Sequence, residues 1–158
     1  MISREEFKDR ITLHRQSVKL GLQRISDILV NRGDLHDIDK FEEAMFEDFY
    51  LNIPKFTNVS FGEIEWENAM ESIKTMNNHY AVSPHHIQHY PNGINGVNLI
   101  DLLEMIVDWK SANNAYGDVK LSEALIIQKK RFGIDDQLYK IIVNTAKILG
   151  YLEEEDGK

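Results

Sequence analysis

The chain of 158 residues is 42% hydrophobic and 28% charged, an ordinary globular composition, and it carries a formal net charge of −8. The acidic balance argues against generic binding to a nucleic-acid backbone, which needs a basic surface. A small phosphorylated ligand stays compatible with it, because a divalent cation supplies local positive charge. The chain has no cysteine, which excludes disulfides, thiolate zinc sites and a cysteine nucleophile.

No segment of the chain resembles a signal peptide, and no apolar stretch approaches the ~20 residues needed to cross a bilayer. The length fits one domain spanning residues 1–158. We therefore expect a soluble, cytoplasmic protein that does not contact membranes. The sequence leaves its oligomeric state open.

The first predicted helix begins at the N-cap Ser3, with Glu6 three residues on, runs to about Asn31 and stops at Gly33. Its apolar residues recur at helical spacing and predict a core-facing stripe. The stripe consists of Phe7, Ile11, Val18, Leu22, Ile25 and Leu29. His14 falls on the same stripe.

Five further helices follow from the same periodicity, and no pair of segments has hairpin chemistry. Four of them have expected limits of about 37–51, 61–80, 120–131 and 135–152, and the helix after 61–80 begins at the cap Asn98 and includes Trp109. Gly133 is the expected stop of the helix 120–131. Residues 81–97 form a long irregular stretch that carries three histidines, which favours a functional loop. The prediction is an all-α bundle of about six helices.

The six histidines are the main candidates for chemistry. His14 taken alone is more typical of a core histidine than of a metal ligand. His36 and Asp37 have two interpretations: Asp37 caps the second helix, or the adjacent imidazole and carboxylate bind one metal. Lys40 lies about one turn further on, where a lysine could bind a phosphate or stabilise a leaving group.

Four histidines occur within eleven residues, namely His79, His85, His86 and His89. A flexible histidine-rich surface loop would explain them without function. Pro84 stiffens the approach to His85, which suits a loop that holds metal ligands. The role of His89 stays open.

Three acidic residues share one face of the fourth predicted helix: Asp101, Glu104 and Asp108. Asp101 lies near the N-terminus, where a carboxylate compensates the helix dipole. Asp108 lies near the other end of an apolar helix, where burial without a partner is costly, so we expect it to bind a metal or a cation. Glu104 has no assigned role.

The order of these groups along the chain resembles that of the HD-domain superfamily of metal-dependent phosphohydrolases. The likeness is greatest to the two-metal branch that includes the HD-GYP cyclic-dinucleotide phosphodiesterases. The segment 36–40, His-Asp-Ile-Asp-Lys, fits the His-Asp-x-x-Lys signature, and the segment 108–112 fits the closing Asp-x-x-x-Ala. The whole chain is also similar to small phage and bacterial proteins with the same histidine-rich arrangement.

The resemblance implies an HD-like helical fold and a site for one or two divalent ions, with Mn, Fe, Zn and Mg as candidates. The implied metal ligands are His14, His36, Asp37, His79, His85, His86 and Asp108. Asp37 and Lys40 would be catalytic, with a metal-activated water attacking a nucleotide or cyclic-nucleotide phosphate ester. Substrate binding would fall to Lys40, Asn77, Tyr80 and Gln88.

Two other hypotheses stay open. The same ligands could form a metal-containing, non-catalytic protein that binds or sequesters a nucleotide, in keeping with a phage-encoded binding protein. Alternatively, the chain is a helical interaction module whose histidines are incidental. A surplus of ligands beyond four favours catalysis, since structural metal sites are usually closed by four protein ligands.

Overall fold

The structure is a computed structural model, and it describes residues 2–116 and 119–153, apart from the side chains of residues 113–116. Across these residues the chain forms seven α-helices and four short 3₁₀ helices, without a β-strand. The prediction of an all-α protein is confirmed. None of the described helices is both long and apolar enough to span a membrane.

The chain separates into two units, Met1–His36 and Asp37–Lys158. The expectation of a single domain therefore stays a prediction. The first unit consists of one long helix, α1 (Arg4–Leu35), and none of the residues in α1 is buried. The expected apolar stripe is thus exposed, Phe7 for example to 55%, because a single helix has nothing within its own unit to pack against.

The two ends of α1 compare differently with the prediction. At the start, the Ser3 side chain accepts from the backbone N–H of Glu6, and the Glu6 carboxylate accepts from the backbone N–H of Ser3, as expected. At the other end the helix passes Gly33 and continues to Leu35, so the predicted stop is wrong. Gly33 lacks a positive φ, and the chain turns instead at Asp37, whose φ is 57°.

The second unit contains the remaining elements. In chain order they are a 3₁₀ helix Ile38–Phe41, α2 (Glu43–Asn52), a 3₁₀ helix Ile53–Phe56, α3 (Ile64–Glu71), α4 (Met76–Val82), 3₁₀ helices Ile87–His89 and Gly93–Gly96, α5 (Leu99–Tyr116), α6 (Leu121–Phe132) and α7 (Asp136–Ile148). The predicted second helix is therefore shortened, because its first turn is a separate 3₁₀ helix that ends before Glu43.

The predicted third helix is wrong as a continuous element, since the chain breaks it between α3 and α4. Four polar side chains hold the break, and we call them the Asp48 clamp: Asp48, Asn52, Ser72 and Thr75. Asp48 Oδ2 accepts from Thr75 N at 2.8 Å and from Thr75 Oγ1 at 3.0 Å. Asn52 donates to Asp48 and accepts from Ser72 at 3.0 Å. These bonds satisfy the backbone where the helix is interrupted.

The hydrophobic core of the second unit lies among α5, α6 and α7. Its most buried members include Met105, Ile106, Leu125 and Ile142. Ile87, in the short helix directly after His86, belongs to the same core and is only 4% exposed. Burial of this one side chain ties the histidine-bearing loop to the helices beneath it.

Two helix ends around this core follow the sequence prediction, at Gly133 and at Asn98, and Asp135 provides a further cap. Gly133 ends α6 in the left-handed conformation with φ of 62°, and the side chain of Asp135 caps α7 by accepting from Leu138 N at 2.8 Å. Asn98 accepts from the backbone N–H of Ile100 and of Asp101 at the start of α5.

Candidate metal centre

The site begins at Asp37, which directly follows the end of α1 in sequence and precedes the 3₁₀ helix Ile38–Phe41. Its backbone is left-handed, a conformation that aspartate tolerates better than most side chains. Its carboxylate makes no capping bond to this helix. The capping interpretation therefore does not account for Asp37, and the carboxylate is directed toward three histidines.

The three histidines come from α4 and the loop that follows it. His79 lies on the buried face of α4, one turn after Met76, and is completely buried. His85 is 4% exposed, and His86 is half-buried immediately before the core residue Ile87. Helical spacing places His79 on the same face of α4 as the buried Met76. The loop after α4 is anchored by Ile87 in the core and brings His85 and His86 close to His79.

The nitrogen and oxygen atoms of the four side chains converge. We call Asp37, His79, His85 and His86 the histidine cluster, because one ligand atom from each lies within 4.8 Å of the others. Asp37 Oδ1 lies 3.3 Å from His79 Nε2 and 3.2 Å from His85 Nε2. The Nε2 atoms of His79 and His86 are 2.9 Å apart.

These separations fit one cation. Bonds of ~2.0–2.1 Å in tetrahedral geometry place neighbouring ligand atoms about 3.3 Å apart. Three imidazole nitrogens and one carboxylate oxygen suit zinc, manganese or iron. The cluster can therefore hold a divalent metal ion with small adjustments of its side chains.

Electrostatics keeps His79 and His86 in the form that binds metal. Burial is the main cause that lowers the pKa of His86 to about 2, and the neighbouring charges of His85, His79 and Lys40 act in the same direction. Burial also lowers the pKa of His79, although its hydrogen bond to Asp39 acts in the opposite direction. Both rings are consequently neutral at neutral pH, as ligand imidazoles must be.

Two further carboxylates contact the outer nitrogens of these rings. Asp39 Oδ2 lies 2.7 Å from His79 Nδ1, and Ser83 Oγ lies 3.2 Å from the same nitrogen. Glu104 Oε1, from α5, lies 3.3 Å from His85 Nδ1. Carboxylate–histidine pairs of this kind orient the imidazoles of metal sites.

Lys40 contributes a positive charge beside the cluster. Its Nζ lies 2.6 Å from Asp37 Oδ2, so the two oxygens of Asp37 face different partners. The side chains of Lys40 and Asp37 are 29% and 28% exposed. The ammonium group thus lies between the cluster and solvent.

Comparison with known proteins assigns the chain to a family whose function is unknown. Residues 3–148 match the family described as "Family of unknown function (DUF5662)". The chain belongs to this family. No curated protein and no solved structure matches it.

Three further ligands proposed from sequence for this DUF5662 protein are not members of the histidine cluster. His14 is exposed on α1, and His36 is the C-cap of that helix, so both belong to the first unit. Asp108 is half-buried on α5, and among the described residues it does not belong to the histidine cluster. Their roles as metal ligands stay predictions.

Asp101 has a structural position on the same helix. It is 3% exposed, and its carboxylate contacts the Tyr90 hydroxyl and the Asn98 amide. The Tyr90 hydroxyl also reaches the carbonyl of Pro84 at 3.1 Å. This bonding fastens both ends of the loop that carries His85 and His86.

The substrate-binding candidates differ in their distance from the cluster. The Tyr80 ring packs edge-on against His86 with centroids 5.0 Å apart, and burial raises the pKa of its hydroxyl. Asn77 and Gln88 are exposed near the cluster in sequence. His89 Nδ1 donates to the Tyr80 carbonyl at 3.0 Å, which accounts for the histidine whose role was open.

Asp39 is the site residue that sequence analysis missed. It occupies a variable position of the His-Asp-x-x-Lys signature, so the signature does not select it as a functional residue. A signal for it exists in hindsight, since a second carboxylate two residues after Asp37 adds negative charge close to candidate histidine ligands.

Proposed function

We propose that the protein is an HD-type, metal-dependent phosphohydrolase that acts on a nucleotide or cyclic-nucleotide phosphate ester. One observation carries the proposal: Asp37 directs one oxygen toward the ring nitrogens of His79 and His85 and the other toward the ammonium group of Lys40. A carboxylate that could bind a metal ion and an ammonium group that could bind a phosphate thus lie side by side.

Asp37, His79, His85 and His86 would hold the cation. When bound, a divalent ion would act as a Lewis acid toward a phosphoryl oxygen and lower the pKa of water to make hydroxide available near neutral pH. The buried histidines exclude bulk water from one side, and the partly exposed Asp37 leaves the other side accessible.

Lys40 has the charge and position to bind the phosphate. Its ammonium group could exchange its bond with Asp37 Oδ2 for one to a phosphoryl oxygen, neutralising charge that develops on the leaving group. The partial exposure of the side chain leaves room for this movement. Without a phosphate, the same ammonium group neutralises Asp37.

A nucleotide is the favoured substrate class because an aromatic ring adjoins the cluster. Tyr80 contacts His86 and is held through its backbone carbonyl by His89. A planar base could stack near such a ring, and Asn77 and Gln88 offer amide groups for hydrogen bonding.

Three variants test the proposal. Asp37→Asn keeps a residue tolerated in the left-handed conformation and removes the anionic ligand, so we expect loss of bound metal and of activity. Lys40→Met should retain the metal and lose about 100-fold in kcat. Lys55→Met, in the next 3₁₀ helix, is the matched control and should keep both.

The assays are metal analysis of the purified protein, and hydrolysis of an aryl phosphodiester and a nucleotide panel with added Mn²⁺. Absence of bound metal after incubation with Mn²⁺ or Zn²⁺ would contradict the proposal, because the proposed reaction depends on a bound metal ion. Equal activity of Lys40→Met and Lys55→Met would remove Lys40 from the mechanism.

A non-catalytic, nucleotide-sequestering function is the second candidate. It is favoured by the count of four protein ligands in the histidine cluster, since structural zinc sites are usually closed by four ligands. Stoichiometric metal and nucleotide binding without turnover of any tested ester would decide for this alternative.

A further inference from the structure

The hydrogen bond between Asp39 and His79 determines which nitrogen of the histidine carries a proton. Asp39 Oδ2 lies 2.7 Å from His79 Nδ1, in a buried setting where the histidine is inaccessible to solvent. A carboxylate is a hydrogen-bond acceptor, so Nδ1 must be the protonated nitrogen. The lone pair is then on Nε2, the atom that faces Asp37 Oδ1 and His86 Nε2.

We propose that Asp39 is a positioning residue that holds His79 in its Nδ1–H tautomer and directs Nε2 toward the metal ion. This inference rests on the proposed metal site and adds a residue that does not touch the metal. Imidazole ligands held by a carboxylate in this way keep a fixed ring orientation and gain basicity.

The position of Asp39 in the chain places it on the same short segment as the candidate ligand Asp37. Asp37 and Asp39 are two residues apart at the same 3₁₀ helix, whereas His79 follows forty residues later on α4. One short segment therefore carries both a candidate ligand and the group that orients a second ligand. Ser83, the C-cap residue of α4, contacts the same Nδ1 through its Oγ at 3.2 Å.

Glu104 offers an internal comparison. Its Oε1 contacts His85 Nδ1 at 3.3 Å, which is longer than the 2.7 Å of the Asp39 pair. The longer contact indicates weaker orientation of the ring. We therefore expect Glu104→Gln to affect metal affinity in the same direction as Asp39→Asn and by a smaller factor.

A purely structural role makes a different prediction. If Asp39 only links the 3₁₀ helix to α4, its removal lowers the free energy of unfolding and leaves the tautomer and the metal affinity of the folded protein unchanged. Asp39→Asn separates the two roles, because an amide of nearly the same shape can either accept from Nδ1 or donate to it. The variant keeps a hydrogen bond and loses control of the tautomer.

The test measures the tautomer and the affinity independently. Nitrogen-15 spectra of histidine-labelled, metal-free protein report which ring nitrogen is protonated, and the His79 signals are those missing from His79→Gln. Competition with a chelator gives the Zn²⁺ affinity. Glu42→Gln, an exposed charge-matched change three residues further on, is the control.

We expect native protein and Glu42→Gln to show Nδ1–H and the same Zn²⁺ affinity. Asp39→Asn should show mixed tautomers and bind Zn²⁺ about 10–100-fold more weakly. Asp39→Glu, which restores the carboxylate, should recover the Nδ1–H signal.

The possible failures are distinguishable. Native protein that takes up no Zn²⁺ overturns the proposed metal site and with it the role of Asp39. Native protein that binds Zn²⁺, together with an Asp39→Asn variant of native affinity and tautomer, overturns the positioning role alone and leaves the proposed function standing.

Discussion

Two polar clusters in the second unit each contain an aspartate and differ in what their groups can bind. In the Asp48 clamp each contact pairs a donor with an acceptor, for example Thr75 N with Asp48 Oδ2 at 2.8 Å. In the histidine cluster three ring nitrogens and a carboxylate oxygen converge, with Asp37 Oδ1 and His85 Nε2 at 3.2 Å. The clamp links two segments of the fold, whereas the histidine cluster could hold a metal ion.

This difference distinguishes a polar network that stabilises the fold from a group of side chains that could hold a ligand. A satisfied hydrogen-bond network adds to stability directly. Ligand atoms that converge on one point gain favourable interactions when a cation is bound among them. The two clusters should therefore respond oppositely to mutation and to metal.

The largest expected effect is on metal affinity. His85→Gln and His86→Gln each remove a candidate ligand and should weaken Zn²⁺ binding by more than the ~100-fold typical of outer-shell changes. Asp48→Asn should leave the affinity of the folded protein unchanged. Chelator competition measures both, and a loss of affinity in Asp48→Asn comparable to that in the histidine variants would remove the distinction between the clusters.

The second prediction concerns stabilisation by metal. Zn²⁺ at 100 times its dissociation constant should raise the free energy of unfolding by about 2.7 kcal/mol. The same increment is expected in Asp48→Ala, since the clamp does not take part in binding, and none is expected in Asp37→Asn. Thermal unfolding with and without Zn²⁺ gives these values, and an increment retained by Asp37→Asn would place the metal elsewhere.

The third prediction addresses the clamp by itself. Asp48→Ala leaves the backbone N–H and the hydroxyl of Thr75 without their carboxylate acceptor, and should lower the free energy of unfolding by ~1–3 kcal/mol in metal-free protein. Urea unfolding measures the change. Glu47→Ala, an exposed neighbour on α2, is the control and should be nearly neutral. Equal stability of both variants would contradict the structural role of the clamp.

The smallest effect is a pH dependence carried by Asp48. Its hydrogen bond from the Thr75 backbone N–H holds the pKa of Asp48 below the usual value of 3.8. A carboxylate with a lowered pKa in the folded state adds stability that is complete above pH 3.8 and is lost as the pH falls through the folded-state value. Native protein should therefore lose more stability than Asp48→Asn as the pH falls below 3.8.

Urea midpoints of both proteins at several pH values, measured without metal, test this sign. A steeper loss of stability in Asp48→Asn than in native protein would show that the clamp does not favour the charged carboxylate.

Much of the site was predictable because its histidines are close in sequence. His79 and His85 lie within one short helix and the loop after it, and their grouping with His86 follows from spacing alone. Asp37 was identified by its neighbour His36, and Lys40 by its place one turn later. Asp39 could not be selected, because its contact with His79 spans forty residues.

The helix boundaries also divide into those set by local sequence and those set by contacts between distant residues. Ser3, Asn98 and Asp135 cap helices through bonds to residues two or three positions away, so local sequence predicts them. The break between α3 and α4 depends on Asp48, which is 27 residues from Thr75. No local pattern contains that contact, and helical periodicity continues through the break.

By itself the sequence determined the all-helical class, most helix starts and a set of candidate ligands that includes the three histidines that converge, since helix formation and capping depend on groups a few residues apart. Only the tertiary structure decided which of the candidate histidines converge and that Asp39 and Glu104 contact them beside Asp37. Asp37 and Asp39 reach His79 because a 3₁₀ helix and α4 meet in space, and Glu104 reaches His85 from α5. Such meetings depend on long-range packing, in which distant segments are brought together by burying apolar side chains such as Ile87.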